Sequence, residues 1–71
     1  MTKFRRALGM RIFEARNELG WKQSTLAKKL GVSPSIVSNY EAGHRGITID
    51  RIQQIAATLG VSVGWLVGEV R

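Results

Sequence analysis

The 71-residue sequence contains no cysteine and a single histidine, His44. The absence of cysteine excludes disulfide bonds, a thiol nucleophile and thiolate metal ligands. One histidine is too few for a histidine-ligated metal centre, and no acid–base pair or activated nucleophile is apparent. We therefore predict a protein that is not an enzyme, has no small-molecule substrate and requires no metal or cofactor.

The sequence also lacks an apolar run long enough to cross a bilayer, and its basic start is followed by no apolar segment or cleavage site. Apolar residues make up 44% of the chain and charged residues 23%, which is typical of a folded globule. Linkers, repeats and low-complexity segments are absent. The sequence thus predicts one domain over residues 1–71, located in the cytoplasm.

Acidic residues are scarce, because five Asp and Glu stand against eleven Lys and Arg and leave a net charge of +6. The whole excess lies in residues 1–35, which hold eight of the cations and two of the anions. Residues 36–71 carry three charges of each sign. An excess of positive charge concentrated in one half of the sequence indicates a polyanionic partner, either nucleic acid or an anionic membrane.

Apolar residues recur at helical spacing in five segments that end at glycines or begin at hydroxyl residues. The pattern predicts helices over about 4–19, 23–30, 34–42 and 48–59, and a short fifth helix through Trp65 and Leu66. Three hydroxyl residues are expected to cap helix N-termini, namely Ser33, Thr48 and Ser62. No segment alternates with period two, so the expected fold is all-α.

Two of these helices carry a clear apolar stripe that predicts part of the core. The stripe of the first helix consists of Leu8, Ile12, Ala15 and Leu19. The stripe of the fourth helix consists of Ile49, Ile52, Ile55, Ala56 and Leu59. We expect Trp21 and Trp65 to pack at the edge of this core and not to stack on bases.

The segment Gln23–Gly43, QSTLAKKLGVSPSIVSNYEAG, has the spacing of a helix-turn-helix motif. Two short helices flank the turn Gly31-Val32-Ser33, where glycine allows a sharp reversal. In the second helix Ile36, Val37 and Tyr40 share one face. The opposite face is small, lacks acidic residues and fits close approach to base edges in a DNA major groove. It consists of Pro34, Ser35, Ser38, Asn39 and Ala42.

The sequence resembles the Cro/repressor-type helix-turn-helix DNA-binding domain of lambdoid phages, which is also widespread in bacterial regulators. The resemblance covers about residues 8–68. It is carried by Arg11-Ile12 through Leu19-Gly20-Trp21, by QSTLAKKLGVS, by Glu41-Ala42-Gly43 and by IAATLGVSVGWLVGE. It implies a compact five-helix, lambda-repressor-like fold. It also implies a sequence-specific transcription regulator that binds a palindromic double-stranded operator as a homodimer. Such a regulator would work in the cytoplasm of a bacterium or a phage-infected host and would have no membrane partner.

The resemblance places base reading on the second helix of the motif. Pro34, Ser35 and Asn39 match base-facing positions, and Ser38 lies on the same face. Pro34 has no side-chain donor, so we expect Asn39 to be the main reader, because asparagine can bond adenine N6 and N7 together. With so few long side chains on this face, the shape and deformability of the DNA site are expected to contribute to specificity.

The resemblance also places the phosphate contacts. Gln23, at the start of a helix, matches a position whose side chain and backbone amide hold a DNA phosphate, and helix N-termini favour anions in general. Arg45 matches a phosphate-contacting loop. Three further cations of the basic half complete the predicted set, namely Lys22, Lys28 and Arg11.

Two structural expectations follow from the same resemblance. Arg16 and Glu41 match a buried or half-buried salt bridge between the first and third helices. The fifth helix and the turn before it form the expected dimer surface. Its candidate residues are Val63, Val67 and Val70.

Several alternatives remain open at this point. The same motif occurs in intact Cro-like proteins, in DNA-binding domains of longer repressors, in restriction-modification controllers and in antitoxins. A different class would be a membrane-surface or protein-interaction module that uses the basic first helix, with Phe4, Leu8 and Ile12 as its apolar side. Lys22 and Lys29 fit phosphate binding and a solvated face equally. A basic arm of Lys3, Arg5 and Arg6 fits contact with the DNA backbone or a frayed terminus.

Overall fold

The computed structural model describes residues 3–68, which form five α-helices and, within that range, no β-strand. The helices are α1 (Lys3–Glu18), α2 (Gln23–Leu30), α3 (Pro34–Ala42), α4 (Ile49–Leu59) and α5 (Val63–Leu66). The predicted all-α fold is confirmed, and the helix ends agree with the predicted ones to within one residue. Across residues 3–68, no helix is long and apolar enough to span a bilayer.

Hydroxyl caps begin three of the helices, as the sequence predicts. The side chains of Ser33, Thr48 and Ser62 each accept a hydrogen bond from the backbone N–H three residues further on, at 3.4, 3.2 and 3.0 Å. Each such cap satisfies one of the donors that a helix leaves unpaired at its start. Helix α2 differs, because its N-cap residue Lys22 supplies no side-chain hydrogen bond.

A single apolar core joins all five helices. Each helix contributes at least one fully buried side chain to it, and the largest of these are Ile12, Leu26, Val37, Ile55 and Leu66. Trp21 and Trp65 are half-buried and pack against this core, in agreement with the predicted packing role. The fold therefore depends on contacts between helices, since α2, α3, α4 and α5 are too short to be stable alone.

Two predicted core positions, Leu19 and Ile49, are wrong. Leu19 is 45% exposed because α1 ends at Glu18 and Gly20 reverses the chain at φ +74°. This reversal brings Trp21, not Leu19, against the core, and the Trp21 N–H closes the helix by donating to the Arg16 carbonyl at 3.1 Å. Ile49 is 72% exposed because it is the first residue of α4 and lies at the margin of its apolar stripe.

Helices α1 and α3 approach closely at Gly9. A Cβ atom at this position would lie 2.5 Å from the carbonyl oxygen of Glu41 and closer still to that of Tyr40. Both neighbours are backbone atoms, so a side chain could be accommodated only by moving the helices apart. Glycine is therefore required at position 9 for the spacing of α1 and α3, although it is a poor helix former.

We expect Gly9→Ala to lower the free energy of unfolding by about 1–3 kcal/mol through overpacking, even though alanine favours the helix. Urea unfolding followed by circular dichroism measures the change. Ala7→Gly, at an exposed position of the same helix, measures the propensity effect alone. If Gly9→Ala stabilised the protein as much as Ala7→Gly destabilised it, the close approach of α1 and α3 would be contradicted.

Candidate nucleic-acid interface

The outer face of α3 is displayed to solvent and carries no charge. Pro34, Ser35, Ser38 and Asn39 are all exposed, whereas the opposite side of the helix packs inward through the buried Val37. Pro34 follows the Ser33 cap at the first position of the helix, where its missing N–H has no helical partner to lose. The structure thus brings the four predicted base-reading positions onto one accessible surface.

A hydrogen-bonded ion pair fixes α3 to α1. Arg16 Nε lies 2.7 Å from Glu41 Oε2 and Arg16 Nη2 lies 3.0 Å from Glu41 Oε1, so the contact is bidentate. The two side chains are 7% and 6% exposed. The predicted Arg16–Glu41 salt bridge is therefore present and buried. The same guanidinium donates from Nη1 to the Trp21 carbonyl at 2.7 Å, which also ties down the chain after α1.

The ion pair extends to the start of α2. Gln23 Nε2 donates to Glu41 Oε1 at 2.9 Å. The N-terminus of α2 is thereby held beside the C-terminal half of α3, although the two residues are 18 positions apart. The resemblance placed Gln23 on a phosphate and gave no signal for this bond. Its side chain also serves to fix the distance between α2 and α3.

The N-terminus of α2 has the character of an anion site. The positive end of the helix dipole and the first backbone N–H groups point outward at such a terminus. Lys22 adds a side-chain cation there, and as the N-cap residue it supplies no side-chain acceptor to the first backbone N–H groups. Gln23 is the first residue of the helix and is itself held by Glu41. The elements that could bind a phosphate are therefore anchored relative to α3.

The remaining predicted phosphate ligands are dispersed. Arg45 is exposed in the loop that follows α3, and Lys28 is exposed on the last turn of α2, at the opposite end from Gln23. Arg11 is placed differently from the prediction. It is half-buried, its Nη1 donates to the Trp65 carbonyl at 3.2 Å, and its guanidinium lies 5.6 Å from the centre of the Trp65 ring. Arg11 thus holds α5 on α1, and its guanidinium is engaged within the fold.

Two other cations have structural partners that the sequence did not indicate. Lys29 Nζ lies 4.9 Å from the centre of the Trp21 ring, a cation–π contact that favours packing over phosphate binding for this lysine. Arg51 donates from Nη1 to the Leu30 carbonyl at 2.9 Å and to Gln54 Oε1 at 2.7 Å. Arg51 therefore binds the C-terminal end of α2, where cations complement the helix dipole.

Two of the three apolar residues proposed for a membrane anchor are buried in the fold. Leu8 and Ile12 are 2% and 0% exposed and belong to the core, and only Phe4 of the three proposed anchor residues faces solvent.

Of the three residues predicted for the dimer surface, the structure describes one as an exposed side chain. Val63 is 39% exposed, Val67 packs against the core, and Val70 lies outside the described residues. Among residues 3–68, no group of His, Asp and Glu could hold a metal ion.

Residues 12–66 match a family model described as helix-turn-helix. The chain therefore belongs to the Cro/repressor-type helix-turn-helix family. It is 33% identical over 63 residues to the HTH-type transcriptional regulator ImmR of Bacillus subtilis, a match that covers 89% of this chain and 50% of ImmR. The chain spans about half the length of the curated relatives it matches.

Two similar solved structures contain DNA. The biofilm regulator SinR in complex with DNA is 37% identical, with a TM-score of 0.76, and the match covers 83% of this chain and 95% of SinR. The P22 c2 repressor in complex with a synthetic operator is 25% identical, with a TM-score of 0.81, and the match covers 89% and 96% of the two chains. The lambda-repressor-like architecture that the resemblance implies is confirmed.

Glu41→Ala should lower the free energy of unfolding by about 3–5 kcal/mol, because it leaves the buried Arg16 guanidinium without a counter-charge. The double variant Arg16→Met, Glu41→Leu should recover part of that loss, since neither charge is then stranded. Urea unfolding measures both.

The matched control is Glu14→Ala, an exposed glutamate of α1. Its effect should stay within about 0.5 kcal/mol of wild type. A Glu41→Ala variant as stable as Glu14→Ala would contradict the structural importance of the ion pair.

Proposed function

We propose that this protein is a sequence-specific transcription regulator that binds double-stranded DNA by placing α3 in the major groove. The observation that carries the proposal is the exposed, uncharged face of α3, held by the Arg16–Glu41–Gln23 network beside the N-terminus of α2. A small polar face allows close approach to base edges, and a helix N-terminus attracts a phosphate. The DNA complexes of the similar SinR and P22 c2 proteins support this proposal.

Binding and reading are divided between different residues in this proposal. Lys22, the α2 N-terminus and Arg45 contact phosphates, which fixes register and orientation without reading sequence. Asn39 reads an adenine through its amide, and Ser35 and Ser38 add shorter contacts. Phosphate contacts release counterions, so affinity for any duplex falls as salt rises. We further propose that residues 1–71 act as one DNA-binding unit.

Asn39→Ala should relax the preference at one A·T position of the site by about 1–3 kcal/mol and leave other positions unchanged. Gln23→Ala should weaken binding to all sequences alike, because it alters the phosphate anchor and the support of α3 but removes no side chain of the reading face. Selection of bound sites from random duplex DNA, repeated with both variants, measures these effects. A uniform loss of affinity for Asn39→Ala would refute its role as the base reader.

We propose further that the protein binds a palindromic operator as a homodimer, with two copies of α3 about one DNA turn, roughly 34 Å, apart. The exposed Val63 at the start of α5 is the apolar side chain that supports an interface on this side. The selected sites should then be inverted repeats with half-sites about 10 base pairs apart.

Val63→Asp should abolish cooperative occupancy of the two half-sites while leaving binding to a single half-site unchanged, because it places a charge in the interface. Sedimentation and titration of duplexes with one or two half-sites test this expectation. Met10→Asp, at an exposed apolar position of α1, is the matched control. Equal cooperativity in both variants would contradict a dimer formed through α5.

A further inference from the structure

The outer face of α1 carries an exposed apolar pair. Met10 is 56% exposed and Phe13 is 41% exposed, and helical residues three positions apart are neighbours on one face. The guanidinium carbon of Arg16 lies 5.4 Å from the centre of the Phe13 ring, a cation–π contact that holds the ring while part of it stays in solvent. A side chain that is already held loses less freedom when it binds, so this pair is suited to an interface.

Two charges of opposite sign flank this pair on the same face. Arg6 lies four positions before Met10 and Glu14 lies four positions after it, and both are exposed. With about 3.6 residues per turn, both lie roughly 40° from Met10 around the helix axis. Ala7 and Phe13 stand three positions on either side of Met10, so a small exposed residue mirrors a large one. These five residues are here named the outer stripe.

The order of these charges has no explanation within the described part of the chain. The helix dipole favours anions at the start of a helix and cations at its end, whereas the first turn of α1 has no acidic residue and the helix ends at Glu18. Among residues 3–68, neither Arg6 nor Glu14 forms an ion pair. Positions that break a local rule of stability are commonly functional, so the order points to a contact with another molecule.

The outer stripe lies away from the other surfaces that the domain uses. Gly9 faces α3, and Arg11 reaches α5. Met10 stands between them in the sequence and therefore points away from both, on the side of α1 opposite the buried Ile12. A partner can thus occupy the stripe while α3 and α5 stay accessible.

We propose that the outer stripe binds the outer stripe of a second copy of this chain, with the two α1 helices antiparallel. An axis of two-fold symmetry at Met10 then brings residues equally distant from Met10 opposite each other. Arg6 of each copy meets Glu14 of the other copy, and Ala7 leaves room for the Phe13 ring. The acidic end of each helix also lies beside the positive end of the dipole of the other helix.

This symmetry favours a second copy over other occupants. In a parallel pair like charges would face each other, and an anionic membrane would repel Glu14. One helix face gives a small interface, so the contact is weak and reversible. The inference goes beyond the proposed function and does not rest on DNA binding. The contact joins copies that are not paired through α5, so Met10→Asp still leaves cooperative occupancy of two half-sites intact.

Sedimentation equilibrium without DNA tests the contact in a Val63→Asp background, which removes the interface proposed for α5. At low salt and at protein concentrations up to about 1 mM, this protein should form a reversible dimer. Addition of Met10→Asp should make it a monomer over the same range, because two like charges would then face each other at the symmetry axis.

Exchange of the flanking charges tests the antiparallel orientation. Arg6→Glu and Glu14→Arg, each added alone to the Val63→Asp protein, should weaken dimerisation about tenfold or more, because two attractive contacts become repulsive. An equimolar mixture of the two variants should recover the affinity as a heterodimer, since opposite charges again face each other. Lys28→Glu changes the net charge as much as Arg6→Glu but lies on α2, and it should dimerise as its parent does.

Circular dichroism should show both charge variants folded, because each brings the charges of α1 closer to the order that the helix dipole favours. A Val63→Asp protein that stays monomeric up to about 1 mM would overturn the proposal. The same holds if Arg6→Glu dimerises as Lys28→Glu does, or if the mixture recovers no affinity.

Two further outcomes separate this proposal from the alternatives. Binding to vesicles of phosphatidylserine and phosphatidylcholine that is lost in Met10→Asp, by a protein that remains monomeric, would overturn the proposal and assign the outer stripe to lipid. A protein that dimerises as expected but binds no duplex would support the outer stripe and contradict only the proposed DNA-binding function.

Discussion

The buried contact between Arg16 and Glu41 is the interaction on which the candidate interface depends. A single carboxylate receives two hydrogen bonds from α1 and one from Gln23 at the start of α2, while belonging to α3. Charges with so little exposure are costly unless paired, so each partner requires the other. Helices α2 and α3, which are too short to be stable alone, are thereby fixed to α1 in one arrangement. The helix proposed to read bases and the terminus proposed to bind phosphate cannot move independently.

Much of the fold could be predicted because its signals are local. The caps at Ser33, Thr48 and Ser62 and the helix-ending glycines each depend on a few neighbouring residues, and the structure contains them as expected. Leu19 was wrongly predicted to be in the core, because the helical periodicity of the sequence continues beyond the end of α1. In the structure Gly20 turns the chain, and Trp21 packs against the core in place of Leu19. The need for glycine at position 9 was not predicted, since it arises from the backbone of another helix.

The site was predicted less completely, because several of its contacts join residues that are far apart in the sequence. The exposed face of α3 follows from its helical wheel, and the Arg16–Glu41 pair follows from the family resemblance. The bond from Gln23 to Glu41 joins residues 18 positions apart and has no local signal. Arg11 appeared to be one more surface cation, whereas Trp65 provides both a carbonyl and a ring for it. A count of positive charges therefore overestimates the surface that is available to a phosphate.

We propose above all that an uncharged helix reads the DNA while separate basic surfaces hold it. Amide chemical shifts of the full chain, followed while duplex DNA of a selected site is added, test this claim most directly. The account predicts that the largest shifts lie in the first residues of α2, on the outer face of α3 around Asn39, and in the loop around Arg45. Shifts confined to α5 and the C-terminal half of α4, with α3 unaffected, would contradict it.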